Sequence, residues 1–443
     1  MTIWRKGLVA AMAALMLAAS APATQAWPGK PKPAALSALG LPRATPESVG
    51  FSSERLARLD AAMEALVDNG RLPGVVTLLA RHGKIVAVNA YGLKDVATGA
   101  PITEDTIFRM YSQTKPVTGV AMMILYEEGR WKLDEPVVKY IPEFTGLQVF
   151  KGLDADGKPI LEPIARSATM RELLTHTAGF AYGLITDNPV DKAYRDSAML
   201  RAPTLQAMVE EAGKLPLASQ PGTEWRYSIA VDIQGYIIEK LSGQSLPDFM
   251  QSRIFGPLSM TDTAFWAPPE KMGRFATLYM VNPKERTIVP AEGFMVLPVE
   301  KPPTAASGGG GLVSTLRDYT RFAQMLLNGG ELDGVRILSP ATIRLMASNH
   351  LTDAQLAGNP IGPGVGFGLD VAVIMDPARA GTLAGKGTYS WGGAAGTWFW
   401  VDPENDVIFL GMIQVLGGGG LWRLDDLSAT LVYQALVDPE KWR

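Results

Sequence analysis

One stretch decides the fold and the chemistry expected of this chain: Phe108-Arg109-Met110-Tyr111-Ser112-Gln113-Thr114-Lys115-Pro116-Val117-Thr118. A serine hydroxyl is a weak nucleophile at neutral pH and needs a base beside it. On a helix, a lysine three residues after a serine lies on the same face, one turn away. Ser112 and Lys115 are therefore a candidate nucleophile and its cationic partner. A pattern with two fixed residues recurs by chance, so its interpretation depends on the rest of the chain.

Strand patterns lie at the two ends of the chain. Residues 75–81 and 85–91 are apolar, β-branched runs separated by a short turn, which predicts a β-hairpin. Residues 388–391, 397–401 and 407–414 are three further candidate strands, and the last two should pair antiparallel across an Asp-Pro-rich turn. Because a lone hairpin is marginally stable, we expect the two ends to meet in one antiparallel sheet.

Helical patterns dominate the middle of the chain. Apolar periodicity predicts helices that begin near Ser53 and over 117–128, 230–241, 318–327 and 424–437. Scattered proline and charge at 145–170 and 280–306 favour loops.

The predicted fold is α/β in the broad sense and of the α+β type, an antiparallel sheet flanked by helices plus a mainly helical lobe. The α/β part should cover about 45–110 and 365–443, and the lobe about 111–364. Ser112 then lies where the chain enters the lobe.

The first 26 residues have the layout of a secretory signal peptide. Arg5 and Lys6 precede an apolar run, and small residues before Trp27 offer a cleavage site. A retained membrane anchor is the alternative, but the run is short for a membrane span. We expect residues 27–443 to form a single domain that is periplasmic or secreted, without stable membrane insertion.

Composition excludes several classes of function. The net charge of −3 would become −5 after loss of Arg5 and Lys6, which does not favour a nucleic-acid partner. The chain has no cysteine, so neither disulfides nor thiolate chemistry is available. Its three histidines lie far apart in sequence and form no metal-binding pattern. We therefore expect no metal and no organic cofactor.

A second candidate for the chemistry is Tyr227, in Trp225-Arg226-Tyr227-Ser228. A nearby lysine ammonium stabilises a phenolate and lowers its pKa toward a useful range. A half-buried packing tyrosine is the alternative interpretation. We expect His176, at a helix end, to be a bystander rather than the base.

Taken together, Ser112-x-x-Lys115, Tyr227 and Trp391-Gly392-Gly393 occur in the order seen in serine β-lactamase-like hydrolases. The resemblance covers most of residues 45–435 and includes Tyr140-Ile141-Pro142-Glu143-Phe144 and the segment 310–322. It implies a β-lactamase/transpeptidase-like fold. Within that superfamily the chain is most similar to family VIII carboxylesterases, which are relatives of class C β-lactamases.

The resemblance implies a role for each matching residue. Ser112 would be the acylated nucleophile, Lys115 would assist proton transfer, and Tyr227 would act as general base and then as acid. Trp391 would stand where β-lactamases carry the lysine of Lys-Thr-Gly, with Gly393 beside it on the substrate-binding side. The backbone N–H groups of Ser112 and Ala394 would form the oxyanion hole, with Ala394 on an exposed strand edge.

Two departures from the β-lactamase pattern favour esters. Ile229 stands where β-lactamases carry the asparagine of Tyr-x-Asn, and Lys386-Gly387-Thr388 is only a near miss to Lys-Thr-Gly. The missing groups would have bound an amide and a carboxylate, so a neutral small-molecule ester is the expected substrate. Gly-x-Ser-x-Gly is also absent, which argues against an α/β-hydrolase. The alternatives are a β-lactamase or other amide hydrolase of the same fold, and a non-catalytic sensor.

Overall fold

The computed structural model describes residues 39–183, 188–282, 287–293, 295–358 and 360–438. They belong to one compact unit, Leu36–Arg443. The predicted signal peptide, residues 1–26, lies outside the described residues. Within the described ranges, none of the helices is both long enough and apolar enough to cross a membrane.

The helices of the described chain are α1 (Ser53–Asp68), α2 (Lys115–Glu127), α3 (Met170–Leu174), α4 (Pro189–Asp196), α5 (Leu205–Ala212), α6 (Ala230–Ser242), α7 (Leu246–Met250), α8 (Leu316–Leu327), α9 (Pro340–Met346), α10 (Asp353–Ala357), α11 (Pro377–Ala380), α12 (Gly418–Trp422) and α13 (Leu424–Tyr433).

The strands are β1 (Gly74–Arg81), β2 (Lys84–Asp95), β3 (Ala100–Pro101), β4 (Ile107–Arg109), β5 (Gln148–Leu153), β6 (Pro159–Pro163), β7 (Tyr279–Val281), β8 (Ile288–Pro290), β9 (Val313–Thr315), β10 (Glu331–Leu332), β11 (Val335–Arg336), β12 (Val365–Phe367), β13 (Ala372–Ile374), β14 (Tyr389–Gly392), β15 (Thr397–Asp402), β16 (Val407–Met412) and β17 (Val415–Leu416).

The main sheet joins the two ends of the chain. Its strand order is β12-β13-β14-β15-β16-β1-β2-β3, and neighbouring strands run antiparallel. The join lies between β1 and β16, where Leu78 is opposite Leu410. Every residue of both strands is buried, as expected for strands covered on both faces. The predicted antiparallel sheet flanked by helices is therefore confirmed.

Alternate residues of the central strands supply two separate cores. Leu78 and Leu410 belong to the larger core, shared with α2, α6 and α8. Their neighbours Leu79 and Phe409 face the other way, into a core formed with α1 and α13. The period of two along a strand thus places one helical layer on each face of the sheet.

Two segments predicted as loops contain strands. Residues 145–170 hold the antiparallel hairpin β5–β6, and residues 280–306 hold β8, which pairs with β7. Four of the five residues of β6 are exposed, whereas β5 contributes Val149 to the larger core. Because β6 has no buried face, it shows no alternation of apolar and polar residues, and the sequence pattern missed the hairpin.

Candidate active site

Ser112 lies in a strained turn between a strand and a helix. Strand β4 pairs with β9, and a 3₁₀ turn over Tyr111–Thr114 then leads into α2. Tyr111 has a φ of +46°, which is uncommon for a residue with a side chain. Its hydroxyl donates a hydrogen bond of 2.7 Å to the Met295 carbonyl. Burial raises the pKa of Tyr111 to about 12, so this donor keeps its proton. The turn places the half-buried Ser112 at the start of α2.

Lys115 is fully buried in the first turn of α2. Its Nζ donates to Ser112 Oγ at 3.2 Å and to the Gly309 carbonyl at 2.7 Å. The first contact is the i, i+3 approach that the sequence predicted. The second comes from the Gly308–Gly311 segment, nearly two hundred residues away. A buried ammonium is costly unless its donors are used, and these two acceptors stabilise it.

Tyr227 completes the predicted group of three. Its ring centroid lies 4.5 Å from Lys115 Nζ, because α2 packs against α6 and Tyr227 closely precedes α6. The Tyr227 hydroxyl is buried and has no hydrogen-bond partner among the described residues. The structure therefore brings a nucleophile, a cation and an unpartnered phenol together. The catalytic roles assigned to them remain predictions.

Tyr182 belongs to the same cluster, and sequence analysis did not single it out. Its ring stacks on Tyr227 with centroids 5.5 Å apart and planes 13° apart, and Lys115 Nζ lies 5.2 Å from it. Burial, and then the nearby Asp232 carboxylate, raises the pKa of Tyr182 well above 10. Tyr182 is thus a neutral wall beside Tyr227. Its sequence neighbourhood, a glycine-bounded loop, carries no pattern that would have revealed it.

His176 is closer to the site than we expected. Its ring lies 4.9 Å from that of Tyr227, and its Nδ1 is 3.0 Å from Ser228 Oγ. Burial, followed by repulsion from Lys115, lowers the pKa of His176 well below 6.5. His176 is thus a neutral packing partner of Tyr227, and its expected lack of a role as the base stays a prediction.

Indole rings form the remaining wall. Trp391 lies 5.6 Å from Tyr227 and 5.4 Å from Phe367, and Trp225 lies 6.1 Å from Tyr227 and 5.5 Å from Phe367. The Nε1 atoms of Trp225 and Trp391 are buried without a partner in the described part of the chain. An indole ring is uncharged and its N–H can only donate, so this wall adds two buried donors and no charge to the site.

The predicted oxyanion-hole residue Ala394 is not on a strand edge. It lies in the turn after β14, because the strand ends at Gly392, and it is exposed. Its neighbour Gly393 packs tightly: a Cβ there would lie 2.2 Å from the Met110 carbonyl oxygen. Through this contact the turn packs against the segment that leads into Ser112. The proximity is compatible with the predicted Ala394 donor, whose role stays a prediction.

No group of three or more histidine, cysteine, aspartate or glutamate residues that could hold a metal ion occurs in the described ranges. The site is built instead from a hydroxyl, an ammonium and aromatic rings. Such a set can perform acyl transfer by nucleophilic catalysis.

Known proteins that are similar to this chain include an esterase and a carboxypeptidase. The family model "Beta-lactamase" matches residues 59–434. Esterase EstB of Burkholderia gladioli is 35% identical over 362 residues, which cover 77% of this chain and 86% of EstB. A putative D-alanyl-D-alanine carboxypeptidase of Escherichia coli K12 is 28% identical, over 82% of this chain and 83% of that protein.

A solved structure shows the same fold. EstCE1, described as a hydrolase with promiscuous acyltransferase activity, superposes with a TM-score of 0.73 at 28% identity. The alignment covers 86% of this chain and 99% of EstCE1. The predicted β-lactamase/transpeptidase-like fold is confirmed.

The neutral state of His176 predicts how stability depends on pH. Below about pH 6.5 the unfolded chain binds a proton at this imidazole that the folded chain does not bind, because burial depresses the folded pKa. The free energy of unfolding should therefore fall as the pH drops from 7 toward 5, by up to about 1.4 kcal/mol per pH unit from this group. His176→Gln should show a shallower fall in urea denaturation. Parallel pH curves for the two proteins, each referred to its own value at pH 7.5, would contradict the assignment.

Proposed function

The chain belongs to the beta-lactamase family, and from this premise we propose that it is a serine carboxylesterase of the family VIII type. The observation that carries the proposal is the contact of Lys115 Nζ with Ser112 Oγ, with the Tyr227 ring 4.5 Å from the same ammonium. The family is one of hydrolases, and the similarity to esterase EstB supports ester hydrolysis within it.

In the proposed acylation step, Ser112 Oγ attacks the ester carbonyl carbon. Tyr227, acting as the general base, accepts the hydroxyl proton; its own hydroxyl has no hydrogen-bond partner among the described residues that would compete for this role. The new Ser112–acyl bond replaces the carbonyl–alkoxy bond, and Tyr227 returns the proton to the departing alcohol. In deacylation, water attacks the acyl carbon and gives a proton to Tyr227. The Ser112–acyl bond then breaks, the carboxylic acid is released, and Tyr227 returns the proton to Ser112 Oγ. Backbone N–H groups of Ser112 and Ala394 would stabilise the oxyanion in both steps.

Preference for neutral esters follows from two positions. The Ile229 side chain, at the start of α6, is apolar and fully buried. It therefore has no polar group with which to bind a substrate amide. Trp391 carries no charge with which to bind the carboxylate of a β-lactam. The rings of Tyr182, Trp225 and Trp391 beside Tyr227 carry no charge, which suits an uncharged acyl or alcohol group.

Short-chain p-nitrophenyl esters test the nucleophile and the base. Ser112→Ala should lower kcat by at least about 1000-fold, since the acyl-enzyme cannot form. Tyr227→Phe removes one hydroxyl and should lower kcat by about 100- to 10,000-fold. The matched control is Tyr389→Phe, which removes another buried, unpartnered hydroxyl and should leave kcat unchanged. Equal turnover by Ser112→Ala and the wild type would refute the proposal.

A p-nitrophenyl phosphonate separates the esterase from a non-catalytic sensor. The wild type should gain one phosphonyl group, which mass spectrometry would locate on Ser112. A wild type without any adduct would favour the sensor.

Substrate selectivity tests the ester preference against the amide alternative. We expect kcat/KM for p-nitrophenyl butyrate to exceed that for nitrocefin by about 100-fold, because one lost polar contact costs up to about 3 kcal/mol. A D-alanyl-D-alanine peptide and a linear anilide complete the panel. Comparable kcat/KM for an ester and any of the amides would instead favour the amide hydrolase.

Export is part of the proposal. The basic start and apolar run of residues 1–26 support secretion or transfer to the periplasm, with cleavage before Trp27. The mass of the exported chain would show whether these residues are removed.

A further inference from the structure

Asp232 makes no recorded hydrogen bond to Ser112 or to Lys115, but it is connected to Lys115 through a glycine segment. It occupies the first turn of α6, five residues after Tyr227, and only 5% of it is exposed. Its Oδ1 accepts a hydrogen bond from Ser307 Oγ at 2.5 Å and one from the Gly309 N–H at 3.0 Å. The carboxylate thus anchors the glycine segment Gly308–Gly311 to α6.

The same glycine segment is bound on its other side by the nucleophile helix. Thr118 Oγ1 donates to the Gly308 carbonyl at 2.7 Å, and Lys115 Nζ donates to the Gly309 carbonyl at 2.7 Å. Both donors lie near the start of α2. Two consecutive glycines therefore link the beginning of α2, which follows Ser112, to the beginning of α6, which follows Tyr227.

Gly308 and Gly309 pack so closely against α6 that there is no room for a side chain at either position. A Cβ at Gly309 would lie 2.5 Å from Asp232 Oδ2, and one at Gly308 would lie 2.6 Å from the Val231 carbonyl oxygen. The two residues can lie this close to α6 only as glycine. Asp232 thus holds the Gly309 N–H, and this restricts where the carbonyl of the same residue can lie.

The position of that carbonyl matters for Lys115. The ammonium is fully buried and makes two recorded hydrogen bonds, one to Gly309 and one to Ser112 Oγ. If the Gly309 carbonyl moved, the ammonium would either move with it or lose this hydrogen bond. Losing it would cost free energy, because a buried donor would be left without an acceptor. In either case its distance to Ser112 Oγ would change.

Resting on the proposed esterase function, we propose that Asp232 is a positioning residue that fixes the Gly309 carbonyl and thereby holds the Lys115 ammonium against Ser112. It acts on the reaction only through these groups, and its effect should fall on the chemical step rather than on substrate binding.

Asp232→Ala and Asp232→Asn test the proposal. The alanine variant should lower kcat for p-nitrophenyl butyrate by about 10- to 100-fold, the loss expected from displacing a catalytic group by about 1 Å, while KM changes less than about threefold. It should slow phosphonylation of Ser112 by a similar factor. Asparagine keeps an acceptor oxygen of the same size and should restore kcat to within about fivefold of the wild type.

Asp318→Ala is the matched control for a merely structural role. Asp318 is also a buried carboxylate in the first turn of a helix that anchors a loop, through the Asp262 N–H at 2.6 Å and Thr263 Oγ1 at 3.0 Å. Its removal should lower the melting temperature but leave kcat within about threefold, since no recorded contact joins it to Lys115. If Asp232→Ala does not fold, Ser307→Ala removes one donor to Asp232 and should change kcat in the same direction by a smaller factor.

Each outcome decides the proposal. Labelling of Asp232→Ala at the wild-type rate would overturn it while leaving the nucleophile assignment intact. So would an asparagine variant as slow as alanine, or a kcat loss matched by Asp318→Ala. A wild type that hydrolyses no ester but is labelled would refute the esterase function and still test Asp232 through the labelling rates. A wild type that neither labels nor hydrolyses would overturn both.

Discussion

The hydrogen bond from the buried Lys115 ammonium to the Ser112 hydroxyl is the contact on which the arrangement of the site depends. An ammonium taken out of water costs several kcal/mol unless its donors find acceptors. Here the two recorded acceptors come from the turn before α2 and from the glycine segment before β9. The charge is therefore stabilised only when distant parts of the chain have come together, which couples assembly of the site to completion of the fold.

Local patterns predicted much of this architecture. The β1–β2 hairpin, the pairing of β15 with β16 and the approach of Lys115 to Ser112 all depend on residues close in sequence. Periodicity and turn chemistry are visible at that range. Tyr227 was found differently, through the order of motifs along the chain, because no local pattern distinguishes a catalytic tyrosine from a packing one.

What the sequence missed depends on contacts made across the fold. His176 and Tyr182 reach Tyr227 only because the segment after α3 folds back over the start of α6, and the hydrogen bond from the Ile229 N–H to the Ala181 carbonyl holds it there. Strand β6 of the β5–β6 hairpin lacks a buried face that would have marked it in the sequence. Ala394 was misplaced because β14 ends at Gly392, two residues before it, and the chain turns there.

The close packing of Gly393 against the Met110 carbonyl means that two neighbouring residues of the turn after β14 differ in which side chains they can accept. No larger residue fits at position 393 without displacing the backbone just before Ser112. The adjoining Ala394 is exposed, so its side chain can change while its N–H keeps its place. Substitutions are thus tolerated more readily at Ala394 than at Gly393.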